Sequence, residues 1–239
     1  MIKSLSVVFP LYNESKRLFY TFKDIEKFRN TKLIKNIEYI FVDDGSTDNF
    51  IKILNNFFKK KKFLKYKIIR IKKNLGKGNA LKKGISIAKN EWILTLDTDI
   101  SVSLLQLNNW IKKKYIEKNV FIYFGSRRLK NSKIQFKMHR NILGIVFSFL
   151  LKNMFDLIIK DTQCGFKLYK KKIAKLLFKK IKDKGYVHDV EVVLISNKYN
   201  YFIKELPVAW THKNNGKLNL LTDTFKMFYN LIKIKKNFI

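Results

Sequence analysis

Three apolar runs in the N-terminal part of the chain each stop on acidic or polar residues. Residues 5–9 lead into Pro10-Leu11-Tyr12-Asn13-Glu14, residues 37–42 into Asp43-Asp44-Gly45-Ser46-Thr47-Asp48, and residues 92–96 into Asp97-Thr98-Asp99. All three runs read as buried strands. In an open α/β sheet the carboxyl ends of the strands form the edge where ligands bind. Three such endings in order, the last of them D-x-D, predict a site for a metal ion and a nucleotide diphosphate.

Helix signals fill the gaps between the strands. Helices are predicted over residues 15–30, to about residue 59 from a cap at Ser46 or Asp48, to residue 88 from the glycine-bearing loop 74–78, and over 103–118. Further strands are predicted at 67–71 and 120–125. This alternation implies βαβ units and an α/β fold with a mostly parallel, Rossmann-like sheet flanked by helices. The C-terminal part reads as helical, over 138–159, 171–182, 189–197 and 218–235. With two prolines, nine glycines and no repeat or linker, residues 1–239 read as a single domain.

Charge limits the partners. Fifty-one Lys and Arg against eighteen Asp and Glu give a net charge of +33. Lys, Ile, Asn and Phe share A/T-rich codons, which accounts for part of the excess, yet the charge still favours anionic surfaces and phosphorylated substrates. The lysines are spread over the whole chain and no nucleic-acid-binding motif is present, so no specific nucleic-acid partner is expected. Cys164 is the only cysteine, which rules out an internal disulfide and fits a reducing compartment. The N-terminus starts a strand without a signal-peptide profile. The longest lipid-like run, 142–151, ends at Lys152, well short of the ~20 apolar residues that span a bilayer. No transmembrane helix is expected.

Each motif carries a chemistry and a plainer alternative. Asp97 and Asp99 flank one residue at a strand end, where they can hold Mg2+ or Mn2+. Ser101 can add a ligand or contact a metal-bound water. Asp44 can accept N–H groups of a nucleobase, although Asp43–Ser46 also suits a plain strand-to-helix turn. Gly76, Lys77 and Gly78 open a helix and suit phosphate or sugar contact, but they lack the P-loop spacing, so an ATPase is rejected. Arg127, at another strand end, can grip a diphosphate with its forked donors. Asp189 and Glu191 can face a sugar or cap a helix. Cys164 has no base partner in any recognisable pattern and reads as structural.

Together these residues resemble the family 2 glycosyltransferases with the GT-A fold, and most closely the dolichyl- or polyprenyl-phosphate β-glucosyltransferases. The carrying motifs are VVFPLYNE at 7–14, FVDDGSTD at 41–48, NLGKGNALKKG at 74–84, DTDIS at 97–101, GSR at 125–127, DTQCGFKLY at 161–169, HDVE at 188–191 and ELPVAW at 205–210. The resemblance implies that residues 1–126 bind the nucleotide sugar and residues 127–239 face the acceptor. Pro10, Tyr12, Glu14, Val42 and Asp44 would frame the base and ribose. Asp97, Thr98 and Asp99 would meet the nucleotide and metal, with Asp99 as the direct ligand. Ser101 stands where mannosyl relatives place a Gln. Arg127 and Lys217 would meet phosphates.

The implied reaction moves a hexosyl group, with UDP-glucose as the donor, to a polyprenyl phosphate with inversion. An acceptor phosphate is already ionised near neutral pH, so no strong base is needed. A saccharide-hydroxyl acceptor would need one, with Asp189 or Glu191 as the candidate. A dolichyl-phosphate mannosyltransferase-like activity is the other alternative. The implied location is peripheral, at the cytoplasmic face of a membrane, through the run 142–151 and a basic amphipathic helix over 218–239. A membrane partner subunit is left open.

Overall fold

The computed structural model describes residues 2–61, 64–135, 151, 154–155, 157–213 and 220–238. Strands β1 (Ser4–Leu11), β2 (Asn36–Asp44), β3 (Lys65–Ile71) and β4 (Trp92–Thr95) alternate with helices α1 (Leu18–Asn30), α2 (Phe50–Lys59) and α3 (Lys77–Ile87). Helix α4 (Leu105–Lys112), β5 (Ile122–Ser126), β6 (Lys133–Gln135), β7 (Lys167–Lys170), α5 (Lys171–Lys180) and α6 (His188–Lys198) follow. The chain ends with β8 (Ile203–Pro207), β9 (Ala209–Thr211) and α7 (Leu220–Phe238).

The main sheet runs in the order β3-β2-β1-β4-β7-β5-β8, and β6 pairs with β9 in a small parallel sheet. Every pairing in the main sheet is parallel except the two made by β7, which is antiparallel to β4 and β5. The predicted mostly parallel sheet is therefore present, with one reversed strand that the polar run 161–167 did not announce. Strand order reverses between β1 and β4, which makes their carboxyl ends the topological switch point.

Side-chain alternation divides the core into two layers. Val7, Phe9, Tyr39, Phe41 and Leu94 face α1, α2 and α4. Val8, Ile40, Val42 and Ile93 face α3, α5, α6 and α7. The period of two along each strand produces this split, and both layers exclude water, as a doubly covered sheet requires.

Several predicted boundaries move for local reasons. Helix α1 starts at Leu18, because the segment before it binds neighbouring loops. Of the two expected caps of α2, Asp48 bonds the helix, its Oδ1 accepting the N–H of the first residue Phe50 at 3.4 Å, while Asn49 makes no side-chain cap hydrogen bond. The Ser46 hydroxyl accepts the Asn13 N–H, and Asp48 Oδ2 accepts the Ser15 N–H. Helix α4 stops at Lys112, because Lys114 turns left-handed (φ 55°) and the Tyr115 N–H bonds back to the Trp110 carbonyl. Helix α5 stops at Lys180, because Ile181 is extended. Of the predicted helix 138–159, only residues 151, 154–155 and 157–159 are described.

Candidate active site

The end of β1 and the end of β2 are joined side to side. Asn13 adopts a left-handed φ of 53°, which an Asn tolerates better than most residues. Its carboxamide oxygen accepts the N–H groups of Thr47 at 2.8 Å and Asp48 at 3.2 Å, while its own N–H donates to Ser46 Oγ at 2.8 Å. Beside this clasp Tyr12 is exposed, Pro10 is half-buried, and buried Glu14 holds Arg17 through both carboxylate oxygens. Val42 is fully buried under α3, where Gly84 leaves room for it. Its side chain packs the core and does not reach the site, contrary to the expectation from the motif.

Asp44 fixes the next loop. Its carboxylate accepts the N–H groups of Leu75 at 3.1 Å and Gly76 at 2.6 Å. Burial pushes its pKa above the usual carboxylate value, against the pull of those two N–H groups. Gly76 takes a φ of 106°, which favours glycine. The first N–H groups of α3 are committed as well. Gly78 donates to the Gly185 carbonyl and Asn79 to the Lys184 carbonyl, both at 3.1 Å. The backbone N–H at Gly78 is thus bound to protein, which leaves the Lys77 side chain as the cationic group of this loop.

Lys77 reaches across to the D-x-D segment, with its ammonium 2.6 Å from Asp97 Oδ1. Burial alone would lower the Lys77 pKa, but the Asp97 and Asp189 carboxylates hold it above the usual lysine value. Thr98 is buried, and its carbonyl accepts the Thr21 hydroxyl of α1. Asp99 Oδ1 accepts the Ser101 N–H at 2.9 Å, and Asp99 Oδ2 lies 3.9 Å from Arg17. Ser101 is half-buried, and its carbonyl accepts the Thr211 N–H of β9.

The other candidates are paired. Arg127 makes a bidentate ion pair with Asp161 at 2.7 and 2.8 Å. Burial opposes this pair, and Arg127 still holds the Asp161 carboxyl below its usual range. The Arg127 fork is thus occupied, while the guanidinium lies 5.8 Å from the Trp210 ring and stays partly exposed. Asp189 is buried against the ammonium of Lys167, which is itself buried, and its Oδ1 lies 3.0 Å from His188 Nε2. Burial would raise the Asp189 pKa, but His188 and Lys167 hold it well below the usual carboxylate range. Glu191 accepts the N–H groups of Lys182 at 2.8 Å and Asp183 at 2.7 Å, so it fixes a turn. Cys164 is buried and its thiol is pushed up to about 12, which makes it inert, as expected. Lys217 lies outside the described residues.

Asp97, Lys77 and Asp189 therefore form one electrostatic chain at the switch point, with Asp44 holding the loop that carries Lys77 and Asp99 at the rim. Arg17 and Lys167 belong to that chain and were not singled out from the sequence. Both lie within or beside the quoted motifs, but nothing local marked them as ion-pair partners of residues far along the chain.

The carboxylates suit a hard cation. Among the described residues no three His, Cys, Asp or Glu side chains cluster closely enough to hold a metal alone. An ion that keeps its waters and shares a diphosphate needs only one or two carboxylates. Asp97 and Asp99, both partly exposed at a strand end, supply that number.

Comparisons with known proteins fit this geometry. Residues 6–178 match the family model described as glycosyl transferase family 2. The chain belongs to that family. A dolichyl-phosphate beta-glucosyltransferase of Dictyostelium discoideum is 31% identical over 244 residues, covering 98% of this chain and 75% of the relative. The Homo sapiens protein of the same description is 31% identical over 253 residues, covering 99% and 76%. Glucosyl-3-phosphoglycerate synthase from Mycobacterium tuberculosis, solved with phosphoglyceric acid, superposes with a TM-score of 0.71 at 15% identity, covering 97% of this chain and 79% of that one. A second structure of that synthase, solved with Mn2+, UDP and glucosyl-3-phosphoglycerate, gives 0.67 at 16% identity, covering 96% and 77%. The likeness to the synthase is one of fold, and the fold of this glycosyltransferase is GT-A.

Gly165 sits against the D-x-D segment of this glycosyltransferase. A Cβ there would overlap the Asp97 carboxylate. Gly165→Ala is expected to push Asp97 off Lys77 and lower kcat/KM for the nucleotide sugar by up to about a hundredfold, since displacements near 1 Å at a site have that effect. Steady-state kinetics beside a thermal melt checks this: a large loss of stability with normal kinetics would show that Gly165 serves packing only.

Proposed function

We propose that this glycosyltransferase moves a glucosyl group from UDP-glucose to a polyprenyl phosphate of the dolichyl type, inverting the anomeric centre. The observation that carries this reading is the state of the two carboxylates that would have served as a base. Asp189 is held by Lys167 and His188, and Glu191 by two backbone N–H groups. A saccharide hydroxyl would need a base to attack, whereas a phosphate monoester is already ionised near neutral pH. The dolichyl-phosphate beta-glucosyltransferase descriptions of the relatives support the same acceptor.

The residues divide the work by position. Tyr12, Glu14 and Asp44 line the nucleotide end, with Asp44 acting through the loop it holds. Lys77 and Arg17 keep positive charge beside the two D-x-D carboxylates, where the leaving diphosphate gathers negative charge. Asp97 and Asp99 would hold Mg2+ or Mn2+, with Ser101 beside them, and the ion supplies neutralisation of the diphosphate. Arg127, fixed by Asp161 and flanked by Trp210, would meet a phosphate from the acceptor side. Holding the two phosphorylated substrates in line accounts for most of the rate.

The test is a panel of labelled UDP-glucose, UDP-galactose and GDP-mannose against polyprenyl phosphate and against saccharide acceptors. Glucosyl transfer to the lipid phosphate is expected. Transfer only to a saccharide would overturn the acceptor, and transfer from GDP-mannose would favour the mannosyl alternative. Asp44→Ala should raise KM for the donor about tenfold with a smaller change in kcat, the mark of lost uniform binding. It should also cost about 1 kcal/mol of stability, because two part-buried N–H groups lose their acceptor to water. A pure kcat defect would give Asp44 another role.

A lipid acceptor requires work at a membrane surface, and the reading adopted with it is a peripheral contact at the cytoplasmic face. No helix among the described residues is long and apolar enough to cross one. Helix α7 buries Leu231 and Ile234 in the core and turns Phe228, Tyr229, Ile232, Lys235 and Lys236 outward.

A further inference from the structure

Helix α1 carries an aromatic pair that the core does not use. Phe19 is 58% exposed and Tyr20 51%, with ring centroids 6.0 Å apart. Lysines cover both rings: Lys23 Nζ lies 4.3 Å from the Phe19 centroid, and Lys213 Nζ lies 5.4 Å from that of Tyr20. Lys16 and Lys27 are exposed on the same helix region. The carboxylates nearby are spoken for. Glu14 holds Arg17, Asp24 is buried on Ser103 and Leu104, and Glu26 pairs with Lys61 at 2.8 Å. The patch is therefore aromatic and cationic, with its acidic groups turned inward or neutralised.

Its place matters more than its composition. Thr21, next to Tyr20, donates to the Thr98 carbonyl in the D-x-D segment, and Arg17 lies 3.9 Å from Asp99. Lys213 follows β9, whose Thr211 bonds to Ser101. The pair thus stands on the rim of the D-x-D mouth, on the sheet face opposite α7.

We propose that the Phe19–Tyr20 patch, with Lys16, Lys23 and Lys213, is the surface by which this protein seats on an anionic bilayer. This rests on the lipid-phosphate acceptor proposed above. An aromatic ring with a lysine over it suits the boundary between headgroup and acyl chain. Docking there turns the D-x-D mouth toward the bilayer, so the acceptor phosphate can enter the mouth while its chain stays in lipid.

The test uses the full chain and two kinds of acceptor. Wild type, Phe19→Ser/Tyr20→Ser and Phe228→Ser/Tyr229→Ser are floated with vesicles of phosphatidylcholine alone or with phosphatidylserine. Transfer is measured to a vesicle-borne polyprenyl phosphate and to a short, water-soluble prenyl phosphate. The α1 variant should lose about tenfold in flotation and in transfer to the vesicle acceptor, as removal of two interfacial rings implies, and keep transfer to the soluble one. Both side chains are already more than half exposed, so its folding should survive. Lys16→Glu/Lys23→Glu gives a second reading. It should weaken binding to phosphatidylserine vesicles about fivefold per lysine and leave binding to neutral vesicles unchanged. Unchanged flotation of both α1 variants overturns the surface, as does loss confined to the α7 variant. So does loss of self-association in the α1 variant, seen by sedimentation, without loss of flotation, since the patch would then seat a second copy. Patch-dependent flotation with no transfer to either prenyl phosphate would overturn the acceptor reading alone.

Discussion

Asp99→Asn should reduce sugar transfer by at least about a hundredfold, since even residues that merely support a metal ligand cost 10–100-fold when removed. The fold should be untouched. Asp99 Oδ1 accepts the Ser101 N–H, and an asparagine carbonyl can accept the same bond. The residue is partly exposed at a strand end, so its loss should leave the melting temperature within about two degrees. What disappears is the charge that faces a cation. Transfer is measured at saturating Mg2+ or Mn2+, beside a thermal melt. Near-normal activity would remove Asp99 from the metal site and leave Asp97 as the carboxylate to test.

Lys167→Met should give the largest loss of stability among the single changes considered. Lys167 and Asp189 are both almost fully buried and directly paired, and the Lys167 ammonium also lies 4.7 Å from the Phe124 ring. Removing one member leaves the other charged and buried, which costs about 3–5 kcal/mol. For a chain of this size that is a fall of roughly 10 °C in melting temperature. Replacing both, as Lys167→Met with Asp189→Leu, should recover most of the loss, because apolar packing of similar volume replaces a buried pair well. The pH dependence has a definite sign. The Asp189 carboxyl is held below its ordinary 3.8, so its stabilisation is complete above that value and fades only in stronger acid. The stability gap between wild type and Asp189→Asn should therefore narrow only below about pH 4. A gap that closes near neutral pH would mean that another group carries the effect.

The parallel half of the molecule was legible because its signals are local. Strand ends carry their own polar residues, and the β1, β2 and β4 endings meet where the sequence placed them. What could not be read depends on partners far along the chain. Ser46 looks like a helix cap, yet it bonds to Asn13, 33 positions away, and Asp48 divides its carboxylate between Phe50 of the helix and the equally distant Ser15. Glu191 sits in the first turn of a helix, where a cap or a sugar contact was the natural reading, and it fixes the turn at 182–183. The direction of β7 was the hardest case. Because it runs backwards, residues at and before its start, Gly165 and Lys167, meet an edge that the other strands reach only at their ends. A four-residue strand after a polar run has no periodicity long enough to reveal this.

The Asn13 clasp has a consequence for timing. Two loops from separate strands are already tied through one side chain before any ligand arrives, so they enter an encounter as a single ordered lip. The conformational freedom that binding normally removes from such loops is absent from the start, and a larger share of each donor contact remains as affinity. On the proposed function, the donor half is set and waiting while the acceptor is still diffusing in its bilayer. Donor binding before acceptor binding is the order this arrangement favours.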